Sequence, residues 1–161
     1  MSDLLVLSGK EVSKSVYSGL SGQIQRLKEK NIIPGLAVIL VGEDPASQVY
    51  VRSKTRTFKK LNLFTKTYRL FSNVSQDELL DLIIKLNNNP SYHGILVQLP
   101  LPKHLESDKV INTIDPKKDV DGFHPENAGL LAIGRPRFVP CTPKGIMRIL
   151  EHYDINLNGK H

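Results

Sequence analysis

Apolar residues recur along this chain in two rhythms. Val12, Val16, Leu20, Ile24 and Leu27 fall at helical spacing, so residues 9–30 are expected to form an amphipathic helix. Ser8 and Glu11 ahead of that stripe match a capping box, in which hydroxyl and carboxylate satisfy the first free N–H groups. The run Gly35-Leu-Ala-Val-Ile-Leu-Val41 is short, apolar and partly β-branched, the pattern of a strand buried on both faces. Asp44 and Pro45 then supply an N-cap and a first-turn proline for a second helix. Residues 63–70 predict a second strand. Ser75 and Glu78 form another capping box, opening a helix through Leu79, Leu82, Ile83 and Leu86. Gly94-Ile-Leu-Val-Gln-Leu99 predicts a third strand, stopped by Pro100 and Pro102, which cannot donate to a ladder.

Strands alternating with helices predict an α/β fold: a three-layer α/β/α domain with a mainly parallel sheet. Past residue 102 the rhythm loosens. A short helix is expected around residues 104–113, then a turn-rich stretch over 115–140. A last helix, capped by Thr142-Pro143, carries Ile146, Ile149, Leu150 and Tyr153. The expected organisation is one domain over 1–140, followed over 141–161 by a helix and a polar end leading toward a further element.

A length of 161 residues and a mass of 18.0 kDa suit one such domain with a short appendage. The longest apolar stretches, Leu36–Val41 and Leu4–Leu7, fall far short of the ~20 residues of a membrane span. The N-terminus has no basic region ahead of a long apolar core, so no signal peptide is expected. Cys141 is the sole cysteine, which excludes an internal disulfide and a cysteine-rich zinc site and makes a reducing, cytoplasmic setting the expectation. The net charge of +6 raises nucleic acid as a partner. The basic residues are interspersed with acids, however, and a chain without Trp offers few stacking platforms, so no nucleic-acid partner is expected. An anionic small molecule uses the same field. The histidines lack the spacing of a zinc helix, and no metal is expected.

Three segments carry candidate chemistry. Tyr50 and Lys54 are four residues apart and neighbour each other on one helix face. Helical projection puts Lys54 in a sector with Ala46, Val49, Val51, Ser53 and Phe58, facing the sheet, with Arg52 and Thr55 on the solvated side. Burial there disfavours an ammonium and makes the lysine a proton acceptor. The alternative is a lysine whose stem covers apolar surface while its amine reaches water. Gln98 stands near the carboxyl end of a buried strand, where open α/β sheets bind ligands, or else serves neighbouring backbone. In Lys117-Lys-Asp119-Val-Asp121-Gly122, a carboxylate can accept paired N–H donors, or the segment is simply a turn. No G-x-G-x-x-G occurs, so the chain carries no dinucleotide fingerprint.

Taken in order, Val41-Gly-Glu-Asp-Pro-Ala-Ser47, Tyr50-Val-Arg-Ser-Lys54, Gly94-Ile-Leu-Val-Gln-Leu-Pro-Leu-Pro102, Lys118-Asp-Val-Asp-Gly-Phe-His-Pro125 and Pro140-Cys-Thr-Pro-Lys-Gly145 resemble one family. It is the bifunctional methylenetetrahydrofolate dehydrogenase/methenyltetrahydrofolate cyclohydrolase family. The resemblance implies an enzyme of one-carbon metabolism that interconverts methylene-, methenyl- and formyl-tetrahydrofolate, with NADP or NAD for the hydride step. It implies that Lys54 is catalytic, that Tyr50 orients the folate, and that Gln98 hydrogen-bonds Lys54. It also makes Asp121 the acceptor for the pterin's amino and ring N–H groups. Val51, Arg52, Ser53, Val97, Leu99 and Pro100 join the substrate site by the same route, and Thr142 is assigned to the cofactor side. Members of the family continue into a Rossmann domain that holds the nicotinamide. By the resemblance that domain is absent from these 161 residues, and the protein is a homodimer with no membrane partner. A monofunctional member and a non-catalytic folate-binding or dimer-forming module are the alternatives.

Overall fold

In the computed structural model, residues 5–159 are described. Residues 1–4, which begin the Leu4–Leu7 run, and residues 160–161, which include His161, lie outside them. The elements in chain order are α1 (Gly9–Glu29), β1 (Gly35–Val41), α2 (Pro45–Lys60), β2 (Phe64–Leu70), α3 (Gln76–Asn87), β3 (Gly94–Val97), α4 (Ser107–Thr113), α5 (Pro125–Ala132) and α6 (Cys141–His152). The sheet is parallel with order β2-β1-β3, and Val38 pairs with Thr67 on one side and Leu96 on the other.

Strand alternation divides the core into two layers. Ala37, Ile39 and Val41 of β1 join Ile95 and Val97 beneath α3 and α4, packed against Leu79, Ile83 and Val110. Leu36, Val38 and Leu40 point the other way, with Leu96, onto Val51 and Phe58 of α2. Every residue of β1 is buried, as expected of a central strand covered on both faces. The three-layer α/β/α expectation is met.

Local chemistry sets the helix starts. Asp44 Oδ1 accepts the Ser47 N–H at 2.7 Å with Pro45 at the first helical position, and this bond holds the Asp44 carboxyl below its usual range. Ser75 and Glu78 form the reciprocal capping box. The box expected at α1 does not form. The Ser8 hydroxyl makes no cap bond; the Ser8 N–H instead donates to the Tyr153 hydroxyl at 2.8 Å, which donates to Glu11 at 3.2 Å. A tyrosine at the end of α6 has taken over the capping site, and this ties α6 to α1. Of the α1 stripe only Val12 is buried.

Two further elements differ from the sequence reading. The stretch 115–140 contains α5, opened by His124, whose Nδ1 accepts the Glu126 N–H at 3.1 Å, with Pro125 in the first turn. Helix α6 begins at Cys141 with Pro140 as its N-cap, so Thr142-Pro143 lies inside the first turn rather than capping it.

Candidate active site

The inner face of α2 decides where Lys54 sits. Its buried residues are Ser47 and Val51, with Phe58 packed on the same core and Thr55 within 3.4 Å of the Thr67 hydroxyl on β2. Val49 and Tyr50 are 64% and 62% exposed. The sheet-facing sector is thus rotated by roughly a quarter turn from the one read off the sequence, at 100° per residue. Val49 and Tyr50 are apolar but face outward, which is why the helical projection and the buried face differ. Lys54 consequently occupies the shoulder of the helix, half-buried, between the core seam and the exposed Tyr50 ring.

Gln98 follows directly after β3. Its backbone N–H continues the ladder to Ile39 O at 2.9 Å, and its side-chain amide donates to Leu99 O at 2.8 Å. That second bond fixes which end of the amide points outward. The exposed end, Oε1, accepts from Lys54 Nζ at 3.5 Å, a long hydrogen bond. The structure therefore brings together the lysine and glutamine that the resemblance pairs.

Asp121 completes the group. Burial pushes its carboxyl above the usual range; the Lys54 charge opposes this and the Asp119 carboxylate reinforces it. Among the described residues no protein group donates a hydrogen bond to its side chain. With Asp119 it faces a small apolar recess walled by Ile95, Val97, Leu99, Ile114 and Phe123. The recess is too small for a ring, so it is the Asp121 carboxylate at its edge that offers a pair of acceptor oxygens to a partner with adjacent N–H donors.

The other assigned residues divide. Val51 is 1% and Val97 6% exposed, both inside the core, so their side chains pack under the site rather than meet a ligand. Leu99 is half-buried in the recess wall, and exposed Pro100 is joined to it by a cis peptide. Ser53 is exposed on the Tyr50 side of α2, whereas Arg52 projects about 160° from Lys54 around the helix. Thr142 is exposed in the first turn of α6 and makes no side-chain hydrogen bond among the described residues.

What holds Asp121 was missed in the sequence. Ile95 N–H donates to Lys118 O at 2.8 Å and Ile95 pairs with Asp119, so the segment runs beside β3 as a rudimentary fourth strand. A β-carbon at Gly94 would collide with Val120, so glycine permits that approach. Lys118 Nζ donates to Leu86 O, Asn87 O and Asn89 O at 3.2, 2.6 and 3.0 Å, closing the carboxyl end of α3. Asn87 returns two bonds, to Thr113 O and from the Asp115 N–H. Lys118→Met leaves those carbonyls without their cation; we expect a loss of about 2 kcal/mol. The melting temperature should fall by about 4–8 °C for a chain of this size, read by calorimetry.

Comparison with known proteins bears on the family and the fold. Residues 7–121 match the family model described as tetrahydrofolate dehydrogenase/cyclohydrolase, catalytic domain. The bifunctional protein FolD of Streptococcus thermophilus is 53% identical over 157 residues, covering 97% of this chain and 55% of that protein. FolD of Zymomonas mobilis is 51% identical over 162 residues, covering 54% of its length. The crystal structure of the Campylobacter jejuni FolD methylenetetrahydrofolate dehydrogenase/cyclohydrolase superposes with a TM-score of 0.91 at 47% identity, over 96% of this chain and 55% of that one. The Trypanosoma brucei enzyme, complexed with NADP cofactor and inhibitor, gives 0.93 at 32% identity, over 99% and 55%. The chain spans about half the length of the relatives it matches. With a family model matched over most of the chain, relatives above half identity and a shared fold, the chain belongs to the tetrahydrofolate dehydrogenase/cyclohydrolase family.

Proposed function

We propose that this chain binds reduced folate and performs the proton transfers of a methylenetetrahydrofolate dehydrogenase/methenyltetrahydrofolate cyclohydrolase. The observation that carries this reading is the Lys54 amine held against Gln98 Oε1 beside an Asp121 carboxylate to which none of the described residues donates a hydrogen bond. Asp121 accepts from the pterin's amino and ring N–H groups, and the exposed Tyr50 ring packs on the folate. In hydrolysis, water adds to the cationic methenyl carbon and a C–O bond forms. Lys54 passes one proton of that water to the ring nitrogen, and as the C–N bond breaks the hydroxyl of the adduct gives its remaining proton to solvent, leaving the neutral formyl group. Gln98 keeps the amine aimed at the reacting carbon rather than into solvent.

The dehydrogenase step draws on NADP or NAD as hydride acceptor. The residues of this chain do not themselves fit a dinucleotide. The first strand-to-helix turn places the Asp44 carboxylate on the N–H groups at the start of α2, where a pyrophosphate would need to sit. Thr142, in the first turn of α6, is assigned to the cofactor side by family resemblance alone. In this reading residues 1–140 form the folate-binding unit and 141–161 lead to a nucleotide-binding domain. A homodimeric state is supported by β2, which among the described residues pairs on one side only, with Phe71 85% exposed at its end. No helix among the described residues is long and apolar enough to cross a membrane. An exposed free Cys141 suits the cytoplasm.

Calorimetric titration with tetrahydrofolate tests the reading. Saturable binding is expected, weakened by about tenfold in Tyr50→Ala, a loss near 1.4 kcal/mol of ring contact. Binding that ignores both Tyr50→Ala and Asp121→Ala would overturn it.

A further inference from the structure

Behind Asp121 a polar chain leads from buried Asp119 to Arg137 at the surface. Asp119 is 3% exposed and accepts from the Gly122 N–H at 3.1 Å, the His124 N–H at 2.8 Å and Asn127 Nδ2 at 2.9 Å. Asn127, fully buried in α5, also donates to Pro116 O at 2.8 Å and so spans both ends of the loop that carries Asp121. Its remaining acceptor, Oδ1, takes a bond from Arg137 Nη1 at 2.9 Å, while Arg137 Nη2 pairs with Glu126 at 2.7 Å. Every polar atom of the Asn127 side chain is therefore used, and its orientation is fixed.

We propose that Asn127, oriented by Arg137, is a positioning residue that aims Asp121 at the substrate by clamping Asp119 and Pro116. A buried carboxylate two residues before Asp121 must be neutralised locally or the loop opens to hydrate it. Asn127 and two backbone N–H groups supply that neutralisation without a cation. These bonds hold the Asp119 side chain in place, and the loop keeps Asp121 at the recess. The charged and titratable groups on and against the loop are Lys54 from α2, Lys118, Asp119 and His124 in the segment itself and, against the Val120 carbonyl, Cys141 of α6. Arg137 acts from outside through Asn127.

The inference rests on the folate reading for its functional consequence, so the test reads two quantities on this chain. One is tetrahydrofolate affinity; the other is the titration midpoint of the Asp121 carboxyl carbon, followed by NMR without ligand. Arg137→Met, at the surface end of the network, is expected to weaken affinity about threefold and Asn127→Leu at least about tenfold, the scale of one to two lost hydrogen bonds. Arg137→Lys restores part of the loss, since an amine reaches one of the two partners but not both. The Asp121 midpoint moves down in each variant as its loop opens to water, which a merely stabilising role would not produce in protein still folded by circular dichroism. Unchanged midpoint and affinity in folded Arg137→Met overturn the proposal, even where Asn127→Leu fails to fold. Should the wild-type chain bind no folate, the functional reading falls, and the carboxyl titration alone still decides whether Asn127 and Arg137 hold Asp121.

Discussion

Lys54→Met lowers methenyltetrahydrofolate hydrolysis by about 10²–10⁴-fold, the usual contribution of a positioned proton-transfer group. The enzyme that carries these residues is the one to assay, by the decay of methenyl absorbance. Methionine keeps the length and apolar body of lysine, and Lys54 stands on the shoulder of α2 rather than in its seam. The fold should accordingly be unaffected, with a melting temperature within about 1 °C, and folate affinity should change little, since in the proposed reading Tyr50 and Asp121 hold the ring. The loss then sits in kcat and not in KM, the signature of an interaction made in the transition state. A variant that turns over normally would reduce Lys54 to a stem covering apolar surface. Gln98→Leu gives a milder version, since it removes the acceptor 3.5 Å from Nζ but leaves the amine.

Much of this arrangement was legible in the chain. The central strand Gly35–Val41 has no plausible alternative to double burial, and two of four proposed caps, at Asp44 and Ser75, rest on side-chain to N–H bonds confined to one turn. Local geometry of that kind is encoded locally. The Ser8 box failed because Tyr153, 145 residues away, competes for the same N–H. Periodicity placed Lys54 near the sheet but set the buried face of α2 wrongly, since Tyr50 is apolar without being buried. The resemblance counted Val51 toward the substrate, whereas its side chain fills the layer beneath α2, where periodicity had put it. Asn127 gave no signal at all: a lone asparagine in a turn-rich stretch looks solvated, and only the tertiary approach of Asp119, Pro116 and Arg137 makes it a clamp. The adjacency of Gln98 and Lys54, 44 residues apart, came from resemblance and was met by the fold.

Asp121→Asn separates function from stability most sharply. The substitution keeps shape but exchanges one acceptor oxygen for a donor, so two adjacent N–H groups of a pterin no longer find a matching pair. Affinity for tetrahydrofolate should fall by about 10–100-fold, the scale of about 1.5–3 kcal/mol for hydrogen bonds to a charged group. Stability should move the opposite way. Burial, the largest influence on Asp121, raises its carboxyl pKa above the unfolded value, more than Lys54 offsets it. In the window between those two values the folded chain holds more protons than the unfolded chain, so stability falls as pH rises through it. Above the window the wild type carries the full cost of a desolvated charge, and the asparagine variant, having none, melts higher. Below the ordinary carboxylate range both states of the wild type are protonated there, and the two melting curves converge. Melting temperatures of both proteins across that pH range check the sign. A variant that melts lower at neutral pH would mean that the Asp121 charge is stabilising, against the dominance of burial over the Lys54 attraction. A higher melting temperature with weakened binding is what a site held ready for its substrate at a cost to the fold requires.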